Sequence, residues 1–201
     1  MRAISENINH YMFIGLGNPG REYEQSRHNV GFLAVDYIAA DWEMSISRYQ
    51  RKAMIGKKKI GEKTFFLVKP QTYMNLSGKA VSALVKYYKI SVANTLVFFD
   101  DLDLPFGEIR LREIGGSSGQ KGMRSIIDSF HTQDIPRLRI GVGRPPGRRD
   151  PADFILDTFS RKEQSDLPFI LESCKKAAET FAEYGIEKAM TKFNHFILGD
   201  G

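Results

Sequence analysis

A single cysteine, Cys174, stands in 201 residues, which excludes internal disulfides and any metal site built on a cysteine cluster. It falls on a helical apolar face, the setting of a buried structural thiol. No apolar run approaches the roughly 18 residues that a membrane-spanning helix needs. The first ten residues, MRAISENINH, lack a hydrophobic signal core and carry one arginine, so no secretory or transit segment is expected there and the chain is expected to be cytoplasmic. Repeats and low-complexity stretches are lacking too. No serine or cysteine has a nucleophile-elbow context, so a hydrolytic reaction on this chain would use water as its nucleophile.

What is present bounds the rest. At 42% hydrophobic residues the chain can bury a substantial core and reads as one domain over 1–201, with residues 1–10 as an N-terminal extension. A net charge of +5 and a pI near 9.2 favour a polyanionic partner only weakly, and the placement of the charges decides more.

The stretch Phe13 to Trp42 organises the chain. A short apolar run, Met12 to Leu16, has the length of a buried strand and breaks at GLGNPG. Polar loop follows, then His28-Asn29, then an apolar segment from Val30 to Trp42 that reads as a helix with Asn29 as its N-cap. Gly15, Gly17 and Gly20 satisfy the G-x-G-x-x-G dinucleotide pattern, but its context fails. The helical pattern restarts only near Val30, and no acidic residue caps the next strand at the required spacing.

Lys52 to Pro70 reads as a hairpin turning at Gly61-Glu62, with Lys57, Lys58 and Lys59 as a solvated strand end. Ser77 is placed to cap a helix carrying Val81, Leu84, Val85 and Tyr88. Thr95 to Phe99 suits a strand buried on both faces and ends in Asp100-Asp101-Leu102-Asp103. GEIRLRE alternates, with Ile109 and Leu111 opposite Arg110 and Arg112. Met123, Ile126, Ile127 and Phe130 mark another helix, and Arg137 to Gly143 alternates again, with Arg137 and Arg139 opposite Leu138, Ile140 and Val142. Residues 144–159 form a basic, proline-rich flap or connector. Ser160 and Glu163 match a capping box for a helix ending at Gly185, and a last short helix runs from Ile186 to His195. This order fits an α/β sandwich around a mixed, mostly parallel twisted sheet flanked by helices.

In such sheets ligands bind beyond the carboxyl ends of the strands, and Asn18 with His28, Asn75 and Asp100 each follow the carboxyl end of a different expected strand. An imidazole, a carboxylate and two carboxamides in one crevice supply a base, its orienting partner, and donors for a carbonyl or oxyanion.

GLGNPG with RHNVGF downstream, KPQTYMNLSG, DDLDLP and RLRIGVGRP, in this order and spacing, resemble the bacterial-type peptidyl-tRNA hydrolase family from about Tyr11 to Asn194. The resemblance implies cleavage of the ester joining a peptide to the 3′ ribose of tRNA, by a monomer that uses no metal or cofactor. It implies His28 as catalytic base, Asp100 as its orienting partner, and Asn18 and Asn75 as substrate-positioning asparagines. Tyr23 and Met74 match positions lining the peptide cleft. Arg110, Arg112, Arg139 and Arg144 are candidates for tRNA phosphates, with Lys121 a further one. The alternative on the same fold is a non-hydrolytic RNA-binding protein of the splicing-partner type. One departure stands out: where the family commonly has GGHNG, this chain has Ser118-Gly119-Gln120-Lys121-Gly122. Lys121 replaces the asparagine associated with holding the peptide backbone, and it offers only donors.

Overall fold

A computed structural model of the chain describes residues 9–194. Seven strands, β1 His10–Gly15, β2 Arg48–Gln50, β3 Ala53–Ile60, β4 Lys63–Pro70, β5 Thr95–Asp101, β6 Ile109–Ile114 and β7 Asp134–Gly141, form one sheet in the order β2-β3-β4-β1-β5-β7-β6. The helices are α1 Val30–Asp41, α2 Ser77–Tyr88, α3 Lys121–Phe130, α4 Pro151–Leu156, α5 Arg161–Tyr184 and α6 Ile186–Phe193.

The four central strands run parallel, β4-β1, β1-β5 and β5-β7. The pairs β2-β3, β3-β4 and β7-β6 are antiparallel. The α/β sandwich with a mixed sheet is as the sequence implies, but parallel pairing is confined to the centre. The hairpin at one edge and β6 at the other add the antiparallel pairs.

The continuous apolar run of β5 is buried at every position because the central strands have helices on both sides. Alternation along β1, β4 and β5 divides the core in two. Phe13, Phe65, Leu67 and Phe98 pack with Ile38, Cys174 and Phe181 on the side of α1, α5 and α6. Met12, Ile14, Phe66 and Phe99 pack with Leu84, Met123 and Ile126 on the side of α2 and α3. Cys174 is fully buried there, the structural thiol that the sequence implies, and burial raises its pKa far above the ordinary range, which leaves it unreactive.

The glycines of the first loop serve packing. A Cβ on Gly15 would lie 2.2 Å from the Gly31 carbonyl oxygen, and one on Gly31 would lie 2.4 Å from the Phe98 carbonyl oxygen. Only without side chains can the first turn of α1 rest on the ends of β1 and β5. That contact places His28 over the sheet.

Several local assignments change. Asn29 precedes α1 but does not cap it with its side chain; that amide is engaged elsewhere, as described below. Ser77 lies inside the first turn of α2, where its hydroxyl donates to the Met74 carbonyl at 2.9 Å, because a 3₁₀ turn over Met74–Leu76 has already begun the helical path. The segment 144–159 contains α4, with Asp150 accepting from the Ala152 N–H at 2.8 Å and a proline in the first turn. The capping box of Ser160 and Glu163 forms as the sequence implies. Of the last helix, residues beyond Asn194, His195 among them, lie outside the described residues.

Candidate active site

His28 sits on a 3₁₀ turn, Arg27–Asn29, that delivers the chain into α1. Asp100 is the penultimate residue of β5. Their side chains meet at 2.8 Å, Nδ1 to Oδ2, and both residues are more than nine-tenths buried. An ionised carboxylate only accepts, so Nδ1 carries the hydrogen and Nε2 is left with its lone pair. The ring is thereby oriented.

Asn18 follows β1 by three residues and is gripped on both sides. Its backbone N–H donates to the Asn29 Oδ1 at 2.8 Å, and its carbonyl accepts from the Asn29 Nδ2 at 2.9 Å. Asn29 thus gives up capping to lock the glycine-rich loop to the histidine turn. The Asn18 side-chain oxygen accepts from the Met74 N–H at 3.1 Å. With that oxygen committed, the amide offers its Nδ2 donors to a ligand, which suits a carbonyl or oxyanion rather than a proton-accepting role.

These groups open on a cavity of about 680 Å³, within the range of small-ligand sites. Asn18, His28, Met74, Asn75, Asp100 and Lys121 all line it. Met74 is buried, whereas Asn75 and Lys121 are exposed at its edge. Tyr23 lies half-buried on a separate 3₁₀ turn, Arg21–Tyr23, outside the lining of this cavity. The apolar wall comes from Tyr73, Leu102, Ile155 and Leu156. The last two belong to α4, whose signal in the sequence is Asp150-Pro151, an N-cap followed by a proline suited to a first helical turn. Gln120 also lines the cavity, buried, with its Nε2 3.1 Å from Asp100 Oδ1.

α4 is fastened to the histidine turn. Ser26 and Thr158 form an isolated antiparallel bridge, and the Arg27 N–H donates to the Asp157 carbonyl at 3.0 Å. The buried Arg27 guanidinium lies 4.2 Å from the centre of the Phe154 ring and pairs with Glu163 at 2.7 Å. Burial opposes the charge on Glu163, but the bonds from Ser160 and Arg27 prevail and hold its carboxyl below the ordinary carboxylate range.

Three of the candidate phosphate ligands, Arg110, Arg112 and Arg139, lie on one face of the β6–β7 edge, and Arg144 lies in the loop after β7. Arg110 stands opposite Arg139, and Arg112 opposite Arg137. Like charges placed so repel unless compensated. Arg139 Nε pairs with Asp101 at 2.5 Å, Arg110 pairs with Glu108, and Arg144 pairs with Asp103. Arg137 is buried and donates to the carbonyls of Gly115, Gly116, Gln133 and Ile135. Its burial, with Arg139 nearby, lowers its pKa to about 10. Arg112 is exposed.

Among the described residues no helix is long and apolar enough to cross a membrane. A family model described as peptidyl-tRNA hydrolase matches residues 12–199. The chain is 49% identical over 185 residues to a mitochondrial peptidyl-tRNA hydrolase of Oryza sativa subsp. japonica, covering 92% of this chain and 74% of that one. It is 44% identical over 185 residues to a peptidyl-tRNA hydrolase of Chloroflexus aggregans, covering 92% and 98%. The crystal structure of peptidyl-tRNA hydrolase from Acinetobacter baumannii superposes with a TM-score of 0.89 at 31% identity, over 97% of this chain and all of that one. A buried His–Asp pair at the strand ends, the motif order and these likenesses agree: the chain belongs to the peptidyl-tRNA hydrolase family.

Proposed function

We propose that this chain hydrolyses the ester between peptide and tRNA in peptidyl-tRNA, releasing free tRNA, and does so as a single-domain cytoplasmic monomer engaging the acceptor end of the tRNA. The observation that carries the reading is the His28–Asp100 pair at 2.8 Å, opening on a cavity that Asn18 also lines. In this reading His28 Nε2 takes a proton from water as the oxygen attacks the ester carbonyl. The imidazolium that forms is stabilised by Asp100. Asn18 Nδ2 donates to the oxygen on which charge develops. As the tetrahedral intermediate collapses, the bond from the acyl carbon to the ribose oxygen breaks and the proton passes from His28 to that departing oxygen, which leaves as the hydroxyl. Asn75 and Lys121 contact the peptide main chain at the exposed edge, and Met74 forms the floor beneath it.

The base supplies roughly 10²- to 10⁴-fold and the preorganised donor about 10²- to 10³-fold, enough for an ester, which is intrinsically labile. The test is release of tRNA from a peptidyl-tRNA mimic, compared with binding of the same mimic. Binding without release would move the chain to the RNA-binding class.

Asn18→Asp separates the two halves of that amide. The acid keeps an oxygen for the Met74 N–H but loses the donor and adds negative charge where charge develops. We expect folding to persist and kcat to fall by about 10²- to 10³-fold. A variant within threefold of the parent would remove Asn18 from the oxyanion role.

The arginines of the β6–β7 edge, Arg110, Arg112 and Arg139, together with Arg144, are read as the surface for tRNA phosphates. Arg112 gives the sharpest test because it is exposed. Arg112→Ala should reduce the slope of log affinity against log salt by about 0.7 to 0.9, the worth of one phosphate contact. An unchanged slope would place the backbone elsewhere.

A further inference from the structure

We infer that Gln120 is a positioning residue that acts on the general base through Asp100; this rests on the reading of His28 as that base. Asp100 has two carboxylate oxygens, and each has a separate partner. Oδ2 faces His28 Nδ1 at 2.8 Å, and Oδ1 accepts from Gln120 Nε2 at 3.1 Å. The carboxylate is therefore held from both ends. With only the histidine as a partner it could turn about its Cβ–Cγ bond and let the imidazole follow.

The direction of the Gln120 amide is itself fixed. Its Oε1 accepts from the Met123 N–H at 2.8 Å, which makes Gln120 the N-cap of α3. A primary amide has one acceptor end and one donor end, so capping the helix with oxygen turns the nitrogen toward Asp100. Gly122 leaves the space this side chain occupies, and Met74 sulfur is a second acceptor for its nitrogen. A Cβ on Gly122 would lie 2.5 Å from Met74 Sδ and 3.1 Å from Gln120 Oε1, and Nε2 already lies 3.3 Å from that sulfur. Helix α3 thus orients the base through one amide and one carboxylate. Because an amide does not titrate, it donates at every working pH and never competes with Asp100 for the imidazole hydrogen.

Two variants and one control test this with a peptidyl-tRNA mimic. Gln120→Leu removes the donor without adding charge, and we expect kcat to fall roughly 10- to 100-fold, the worth of one hydrogen bond to a charged group, with KM within about twofold. Gln120→Glu keeps an oxygen for the Met123 N–H, but two carboxyl groups about 3 Å apart hold a proton between them. When protonated, the introduced carboxyl can donate as the amide does; when ionised, it repels Asp100. The ratio of variant to parent kcat should therefore fall as pH rises from 5 to 9, by about tenfold or more. A helix cap alone would lower the melting temperature of Gln120→Leu and leave both kcat and that ratio unmoved, and such a result would overturn the inference. The control is His28→Ala. If it stays active, the assignment of the base fails. If it is inactive while both Gln120 variants turn over as the parent does, the base stands and only the role of Gln120 falls.

Discussion

His28→Ala is expected to lower kcat by roughly 10²- to 10⁴-fold, the contribution of a positioned general base, with a smaller change in KM. The sequence places this histidine in a loop, where its loss would not disturb folding. The structure shows it buried, with its Nδ1 on Asp100, so the alanine also leaves a buried carboxylate oxygen unpaired, which costs more than the roughly 1–3 kcal/mol of a neutral group. Turnover must therefore be compared at a temperature where both proteins are folded. His28→Asn supplies the control, since its amide N–H can still donate toward Asp100 but no ring nitrogen remains to take a proton. Equal losses in the two variants, with a smaller loss of stability in the asparagine, would assign the rate to the base itself. Asp100→Asn should lie between parent and alanine, because the amide holds the ring yet favours the wrong tautomer. Retention of most of the activity by His28→Ala would place the base elsewhere.

Gly31→Ala is expected to damage the protein more than any surface change. The added methyl would meet the Phe98 carbonyl at 2.4 Å and the Leu16 backbone at 2.6 Å, and none of these atoms belongs to a side chain that could turn aside. Helix α1 must lift from the sheet. We expect a loss of about 3 kcal/mol or more, at or beyond the upper end of ordinary overpacking. Because His28 lies three residues before Gly31, the fraction that folds should also turn over slowly. Gly116→Ala is the comparison, with nothing within 4 Å of its Cβ and an expected change within about 0.5 kcal/mol. Equal melting curves for the two variants would refute the close approach of α1 to the sheet.

Much of this arrangement could be read from the chain because it depends on local pattern. The apolar run of β5, the alternation in β6 and β7 and the capping box of α5 each follow from neighbours in sequence. The convergence of Asn18, His28, Asn75 and Asp100 follows from strand ends alone, and all four line one cavity. What could not be read depends on partners far along the chain. Asn29 looks like a cap, but Asn18, brought alongside by the turn between them, takes both ends of its amide. Tyr23 matches the family pattern by position, yet its turn sets it outside the lining. The arginines alternate as expected, but that Arg139 and Arg110 are paired with Asp101 and Glu108 depends on how β5, β6 and β7 align. Gln120 is visible in the sequence only as a departure, because its importance lies in the distance to Asp100.

The fastening of α4 to the histidine turn links the size of the chamber to the chemistry within it. Ile155 and Leu156 form part of the wall, and the same short segment is stitched to Ser26 and Arg27, the two residues immediately before His28. Prising the wall outward to admit a bulkier peptide must therefore strain or break the stitches that hold His28 in register. Breadth of acceptance cannot come from this side. On the proposed reading it would come from the solvent-facing margin where Tyr73, Asn75 and Lys121 stand exposed, from which a longer peptide would trail outward.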